Sequence, residues 1–447
     1  ANLQYGATQA WVYAFTFIGG LFADKILGLR KSLFWGGILM IIGSVILAID
    51  PKNFFFIGLG FTIVGTGFFK PNISSMVGQL YPDGDPRRDA GFSFFYMGVN
   101  LGALIGGYIC IAVAEGSMWQ SIVPEHLRWN VGFGFAAIVM IISLLTFTQT
   151  QKSLGPIGLS PLKEMMVSKR KQLEIVTYVG SLLVIPLIIV MVANTHYTDY
   201  FMICIGPASI LYLLYEMKNF TLAENKKLFA ALIFIIFSIF FWAFFEQSGG
   251  SLSLFAVNNL NNTIGGVVLS PNGVNNSANS FFVIGFAALV GLVWLWLDKR
   301  KIEPNTVIKF GLAFLFLAGG FWLFYYTKFF ADGFGRTSLG IFTFGWFVIT
   351  LGELCLSPIG MSAMTKLSPS KTQAVIMGMW FLASAYGQYF AGILGANIAE
   401  ASEQSSNIEK LNVYADGYLQ LAIYALIAGV VLIVLSPLVR KLMQEVK

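Results

Sequence analysis

Charge is what this sequence has least of. Only 11% of its 447 residues are Asp, Glu, Lys or Arg, where soluble domains carry about 25%. With 56% hydrophobic residues as well, the chain cannot cover a water-facing surface, which excludes a soluble enzyme or nucleic-acid-binding domain and leaves an integral membrane protein. Cysteine is scarce too. Cys110, Cys204 and Cys355 all lie in apolar runs at no metal-ligand spacing, so they read as small hydrophobes, with neither a disulfide framework nor a metal site. Histidine is scarcer still: His126 and His196 fall in short polar connections and read as loop residues. No cleavable signal is visible at the start, where residue 1 opens almost directly into an apolar run.

What is present is a series of apolar runs at 5–23, 32–49, 53–70, 92–113, 130–148, 173–193, 198–215, 228–246, 279–297, 305–326, 338–358, 373–397 and 413–437. Runs of about 20 residues mean membrane helices, not a barrel, whose strands alternate over about ten. Of the 28 Lys and Arg residues, 21 fall in one alternate set of connections plus the C-terminal tail, 5 in the opposite set, and Lys70 and Lys309 inside spans. That asymmetry makes the first set, and the C-terminus, cytoplasmic. It also explains the net charge of +6 without nucleic acid. Thirteen spans and a cytoplasmic C-terminus put residue 1 outside, so one further helix is expected upstream of Ala1.

Two spans carry a charge beside a proline. Gly65-Thr66-Gly67-Phe68-Phe69-Lys70-Pro71-Asn72 sets a base inside an apolar run, and Gly352-Glu353-Leu354-Cys355-Leu356-Ser357-Pro358 sets an acid there. Each intramembrane charge costs roughly 2.5–3.5 kcal/mol on insertion scales, which marks it as a functional residue seeking a partner. Proline has no backbone N–H to donate, so each helix is expected to end or kink beside its charge. A cation and an anion on broken helices in opposite halves of the chain point to a polar transport site at mid-membrane.

Family signatures cover the same stretches. The connection G-G-L-F-A-D-K-I-L-G-L-R-K over residues 19–31, with Asp24 ahead of its bases, resembles the loop between the second and third helices of the major facilitator superfamily. G-T-G-F-F-K-P-N at 65–72 followed by F-Y-M-G-V-N-L-G-A at 95–103 resembles the proton-dependent oligopeptide transporter family. Further matches are F-W-A-F-F-E-Q-S-G-G-S at 241–251, Asn279, the Glu353 helix and M-W-F-L-A-S at 379–384. The resemblance spans essentially the whole chain. It implies an all-α membrane protein of the major facilitator fold. Residues 1–148 would form the N-terminal half (helices two to six), 149–222 a basic linker with two inserted helices, and 223–447 the C-terminal half (helices seven to twelve).

The same resemblance implies symport of di- and tripeptides with protons by alternating access. Lys70 would hold the peptide carboxylate and Glu353 the ammonium. Asn100 and Asn279 would bond the peptide ends or amides, Tyr13, Tyr96, Trp242 and Trp380 would form adaptable walls, and Ser357 and Ser384 would make small polar contacts. Proton coupling and gating would fall to Lys70, Glu246, Glu353 and Asp24, with a Lys70–Glu353 ion pair closing one face. No cofactor, metal or nucleic acid is implied. The partners are the peptide, protons and membrane lipid, in a monomer of the inner or plasma membrane.

Three features depart from the family. The motif E-x-x-E-R-F-x-Y-Y does not occur in the chain, no proline lies near Thr16, and Asn279 is followed by Ser280 instead of proline. The loss of that proline leaves the local helix shape open. The alternative reading is a related transporter for another small solute, such as an amino acid, nitrate or a peptide-like drug. A membrane enzyme would need a tighter cluster of His, Asp or paired carboxylates near one interface. The uncharged loop 257–277, rich in Asn and Gly, is expected to be solvated and mobile, and the inserted helices to serve packing or lipid contact.

Overall fold

A computed structural model describes residues 2–114, 119, 121–247, 250–398 and 406–446. Helix covers each of the apolar runs to within one or two residues. The elements are α1 (Asn2–Phe22), α2 (Leu29–Ile49), α3 (Phe55–Gln79), α4 (Arg87–Ala114), α5 (Arg128–Thr150), α6 (Val167–Leu183), α7 (Ile185–Ala193), α8 (Thr195–Glu216), α9 (Leu222–Phe245), α10 (Ser251–Asn259), α11 (Pro271–Lys299), α12 (Thr306–Tyr326), α13 (Leu339–Leu367), α14 (Gln373–Ile398) and α15 (Asn407–Met443). Among the described residues, ten helical stretches are long and apolar enough to cross a membrane; α3, α4 and α14, which carry Lys70, Tyr96 and Trp380, are not among them.

Helix starts follow local chemistry. Asn305 accepts from the Ile308 N–H at 3.1 Å to open α12, and Ser270 with Pro271 opens α11. Ser406 and Glu409 form a reciprocal capping box on α15. The apolar run 173–193 is two helices, not one, because the chain turns at Val184 and Pro186 opens α7. His196 lies in the first turn of α8 rather than in a connection.

Two expectations are corrected. Pro71 does not end α3, which continues to Gln79, and α13 likewise runs through Pro358 to Leu367. Proline at 71 leaves the Gly67 carbonyl, its i−4 partner, without an intrahelical donor. Downstream, the Asn72 side chain donates to the Phe68 carbonyl at 2.7 Å and the Ser74 hydroxyl to the Lys70 carbonyl at 3.0 Å, adding bonds around the weak turn. The second concerns 257–277, whose middle, 265–270, is exposed as expected but which is not loop throughout. It holds the end of α10, a hairpin pairing Thr263 with Val268 and Ile264 with Val267, and the start of α11. Gly265 and Gly266 both have positive φ (56° and 83°), as a two-residue hairpin turn demands. Helix α11 is continuous through Asn279 and Ser280, so the absent proline leaves no interruption there.

Contacts divide the chain into two compact units. One holds Ala1–Asp83, Ile105–Ala231 and Met364–Ala385; the other holds Gly84–Leu104, Leu232–Ala363 and Tyr386–Lys447. In the first, Trp11, Phe15, Ile63, Val64 and Phe68 pack with Ile185, Ile188 and Val192 of α7, so an inserted helix is part of this core. Two ion pairs bind the inserted segment further: Lys25 to Glu216 at 2.8 Å and Lys31 to Glu174 at 2.6 Å. In the second unit the core is largely aromatic, with Phe234, Phe241, Phe310, Phe314, Phe321 and Phe324 fully buried.

Close helix crossings in the first unit are lined by glycine. A Cβ on Gly19 of α1 would stand 2.1 Å from the Gly67 carbonyl oxygen of α3, and one on Gly36 of α2 would stand 2.5 Å from that of Gly65. Backbone meets backbone at both points, as small residues permit in membranes. Gly19→Val is therefore expected to destabilise the protein by about 1–3 kcal/mol or more through overpacking. Gly102→Ala, where nothing lies within 4 Å, is the neutral control. Thermal unfolding in detergent checks the pair.

Candidate functional site

In the second unit the polar chemistry converges on Glu353. It lies on α13, one turn before Pro358, and is only 2% exposed. A buried carboxylate needs hydrogen bonds or a counter-charge, and two donors from other helices supply them: the Tyr96 hydroxyl of α4 and the Asn279 amide of α11. The Asn279 amide also donates to the Thr350 hydroxyl at 3.2 Å, which itself donates to the Trp346 carbonyl at 2.8 Å. Asn100 turns its amide onto the Tyr96 carbonyl at 3.1 Å, one turn back on the same helix. Glu246, just past the end of α9, accepts from Gln388 of α14 at 3.4 Å. Trp242 packs against Gly387, where a Cβ would stand 2.2 Å away. The Trp242 indole N–H and the buried Ser357 hydroxyl have no hydrogen-bond partner among the described residues. Orphaned buried polar atoms of this kind are rare in folded proteins.

In the first unit Lys70 stands beside aromatic rings. Its Nζ is 3.9 Å from the centroid of Tyr13 on α1 and 4.8 Å from that of Phe381 on α14. Such cation–π contacts are worth about 0.5–2 kcal/mol, more when water is excluded. Trp380 and Ser384, one turn apart on α14, are both buried. Asp24 lies in a π-helical turn over Ala23–Leu27. Its carboxylate accepts from the Val375 backbone N–H at 2.8 Å, so it caps the start of α14 while the adjacent Lys25 pairs with Glu216.

The structure thus brings Glu353, Tyr96, Asn279 and Asn100 into one cluster and Lys70 with Tyr13 into another. Sequence reasoning passed over Phe381, Thr350 and Gln388. Phe381 is one residue from Trp380 and carries no polar group, so nothing singled it out; Thr350 lies at i−3 to Glu353, a spacing that could have.

The larger omission is a second buried charge cluster. Lys309 of α12 is 2% exposed, with its Nζ 2.9 Å from Asp89 and 2.6 Å from Glu303. Ser362 of α13 donates to the other Asp89 oxygen, and the Trp294 ring lies 4.9 Å from Nζ. Asp89, Ser93 and Tyr96 share one face of α4 at i, i+4 and i+7. Ser93 sits against Gly291 of α11, where a Cβ would approach it to 3.0 Å. Lys309→Met would strand Asp89 and Glu303 without their cation and is expected to cost about 3–5 kcal/mol. That loss would appear as a lower unfolding midpoint in detergent, with Lys309→Arg intermediate.

These two buried clusters, on a helical membrane chain, can be set against known proteins. The sequence profile of the POT family matches residues 30–413. The chain belongs to the POT family. It is 31% identical to "Peptide transporter YePEPT" of Yersinia enterocolitica subsp. palearctica serotype O:3 (strain YE-P4), over 100% of this chain and 87% of that one. It is 30% identical to the "Di-/tripeptide transporter" of Lactococcus lactis subsp. cremoris, over 99% of this chain and 86% of that protein. Among solved structures, a mutant of peptide transporter POT in complex with alafosfalin superposes with a TM-score of 0.69 at 30% identity, covering 99% of this chain and 87% of that chain. The fold is therefore that of this transporter family within the major facilitator superfamily, and the protein is a transporter, not an enzyme.

Proposed function

We propose that this protein is a symporter that moves di- and tripeptides together with protons by alternating access. The observation that carries the reading is one shielded charge of each sign, one in each unit: Glu353, buried under the Tyr96 and Asn279 donors, and Lys70, half-buried against Tyr13 and Phe381. Support also comes from relatives named as peptide and di-/tripeptide transporters.

Peptides are zwitterions whose side chains vary. A site for them needs fixed charges for the termini and a tolerant space between. Lys70 takes the carboxylate as a compact point charge, and Glu353 takes the ammonium. Asn100 and Asn279 bond the peptide backbone. Tyr13, Tyr96, Trp242 and Trp380 form the walls, with Ser357 and Ser384 as small polar contacts. The free Trp242 N–H and Ser357 hydroxyl suit a polar ligand that would complete their bonding.

The Glu353 arrangement also suits a proton switch. Tyr96 and Asn279 both donate, which satisfies an ionised carboxyl. A proton on that carboxyl turns one acceptor into a donor, so the Tyr96 hydroxyl must reverse and accept, or the Asn279 amide, which only donates, must let go. Glu246 and Asp24 act with Lys70 and Glu353 as gating groups, and a Lys70–Glu353 pair closes one face in one state. One charge moved through 100 mV is worth about 2.3 kcal/mol and tenfold accumulation costs about 1.4 kcal/mol, so a single proton sustains more than tenfold concentration.

The transporter works as a monomer in the inner or plasma membrane, with its base-rich connections and C-terminus in the cytoplasm. Residues 1–148 and 223–447 act as the two halves and 149–222 as the linker with its inserted helices.

The test is uptake of labelled dialanine by the full-length protein in proteoliposomes under an inward proton gradient. Uptake should persist in excess free alanine, and Glu353→Gln should abolish the gradient-driven component. Tyr96→Phe, which removes one donor, should lower it by about tenfold or more, in line with one hydrogen bond to a charged group. Dialanine ignored while another solute accumulates would overturn the peptide assignment. Unchanged uptake by Glu353→Gln would make the carboxylate structural.

A further inference from the structure

A groove at the base-rich end of the first unit is independent of the buried clusters. One face of α2 carries Arg30, Lys31, Phe34, Trp35 and Ile38. Facing it across an open cavity of about 420 Å³ are the end of α5 and Tyr178 of the inserted helix α6. This volume lies within the usual range of small-molecule sites, about 300–1,000 Å³.

The mouth of the groove is cationic. Arg30 donates from Nε to the Ile157 carbonyl and from Nη2 to the Gly155 carbonyl, each at 2.6 Å. That anchors the guanidinium and leaves Nη1 without a hydrogen bond among the described residues. The Lys31 side chain is 44% exposed and pairs with Glu174, which also has the Arg170 Nε at 3.8 Å. Two cations therefore share one carboxylate, and Arg30 adds a third positive charge at the mouth. Exposed Lys152 adds a fourth positive charge just past the α5 end.

Below the mouth the groove becomes aromatic and then aliphatic. Trp35 and Tyr178 lie with ring centroids 4.8 Å apart, and the indole N–H is spent on the Ser181 hydroxyl at 3.0 Å. With its N–H so used, the Trp35 ring offers the cavity hydrocarbon. Phe34 is 39% exposed, and on α6 Ile175 and Val179, which flank Tyr178 in sequence, are exposed too, as a surface in contact with lipid is.

A cationic mouth, an aromatic neck and an apolar trough fit an amphiphile with a negative head and an acyl chain. We propose that this groove binds an anionic glycerophospholipid of the leaflet on the base-rich side, its phosphate at Arg30 and Lys31 and an acyl chain along Phe34, Ile38 and Tyr178. A zwitterionic lipid fits less well. Its ammonium would meet excess positive charge, and the one carboxylate at the mouth is already taken up by Lys31 and Arg170. This assignment does not rest on the transport reading and gives the inserted helix α6 a ligand-binding role.

The test uses full-length protein, delipidated in detergent and titrated with phosphatidylglycerol, phosphatidylcholine or glycerol 3-phosphate, with retained adducts read by native mass spectrometry. One phosphatidylglycerol per chain should be retained at roughly tenfold lower concentration than phosphatidylcholine, with no retained glycerol 3-phosphate. Arg30→Gln combined with Lys31→Gln should erase that preference. Ile38→Trp, which fills the trough and leaves every charge in place, should lose the lipid adduct and keeps the test open if the double variant fails to fold. Equal retention of the two lipids would overturn the proposal, as would a preference that survives both variants. Retention of glycerol 3-phosphate as strong as that of the lipid would reduce the groove to a phosphate site and overturn the lipid assignment.

Discussion

A carboxylate shut away from water dictates the arrangement of the helices around it. Glu353 is held by a phenol from α4 and an amide from α11, so three helices must meet at one depth for any of them to be satisfied. The same face of α4 then does a second job two turns away, where Asp89 neutralises Lys309. One helix thus serves as donor to an acid at one level and as the acid for a base at another. Gly291 lets α11 lie close enough to Ser93, between those levels, for both contacts to form. The register of α4 is therefore fixed by polar bonds whose loss would strand a buried charge, not by apolar packing, which is weakly directional in a membrane.

Much of this was legible in the residues. Long apolar runs give helices because lipid leaves the backbone no other way to satisfy itself. The two intramembrane charges beside prolines marked the regions where the polar clusters lie. What stayed hidden has physical reasons. Lys309 and Asp89 are 220 residues apart, and no local pattern says that two such charges will meet. Phe381 touches Lys70 with a ring that looks like any other core aromatic. Of the two outcomes expected at Pro71 and Pro358, an end to the helix does not occur, because a proline removes one hydrogen bond and neighbouring side chains in a packed bundle replace part of what is lost. The hairpin after α10 rests on Gly265-Gly266, a short signal inside a stretch whose Asn and Gly content suggested a solvated loop.

The inserted segment is more than a spacer. It is tied to the connection before α2 by Lys25–Glu216 and to the first turn of α2 by Lys31–Glu174, and α7 is built into the aromatic and aliphatic core of α1 and α3. Trp11 also stacks on Phe201 of α8 at 3.7 Å and donates to Thr198. Exposed ion pairs are worth little in water. Here each joins a partly exposed lysine to an acid largely shielded by the fold, so the acid is the member that depends on the contact.

Pro71 has a mechanical consequence. The Gly67 carbonyl loses its amide donor to that proline and points at Gly19, a neighbour with no side chain. One turn of α3 is therefore held by fewer bonds than the rest, and the turn in question ends at Lys70. A rod with a single soft coil concentrates its bending there, while the segments on either side move as stiff levers. The compliance of α3 is lodged next to its only charge, so a small change in curvature swings the far ends of the helix through the widest arc while Lys70 stays near the pivot.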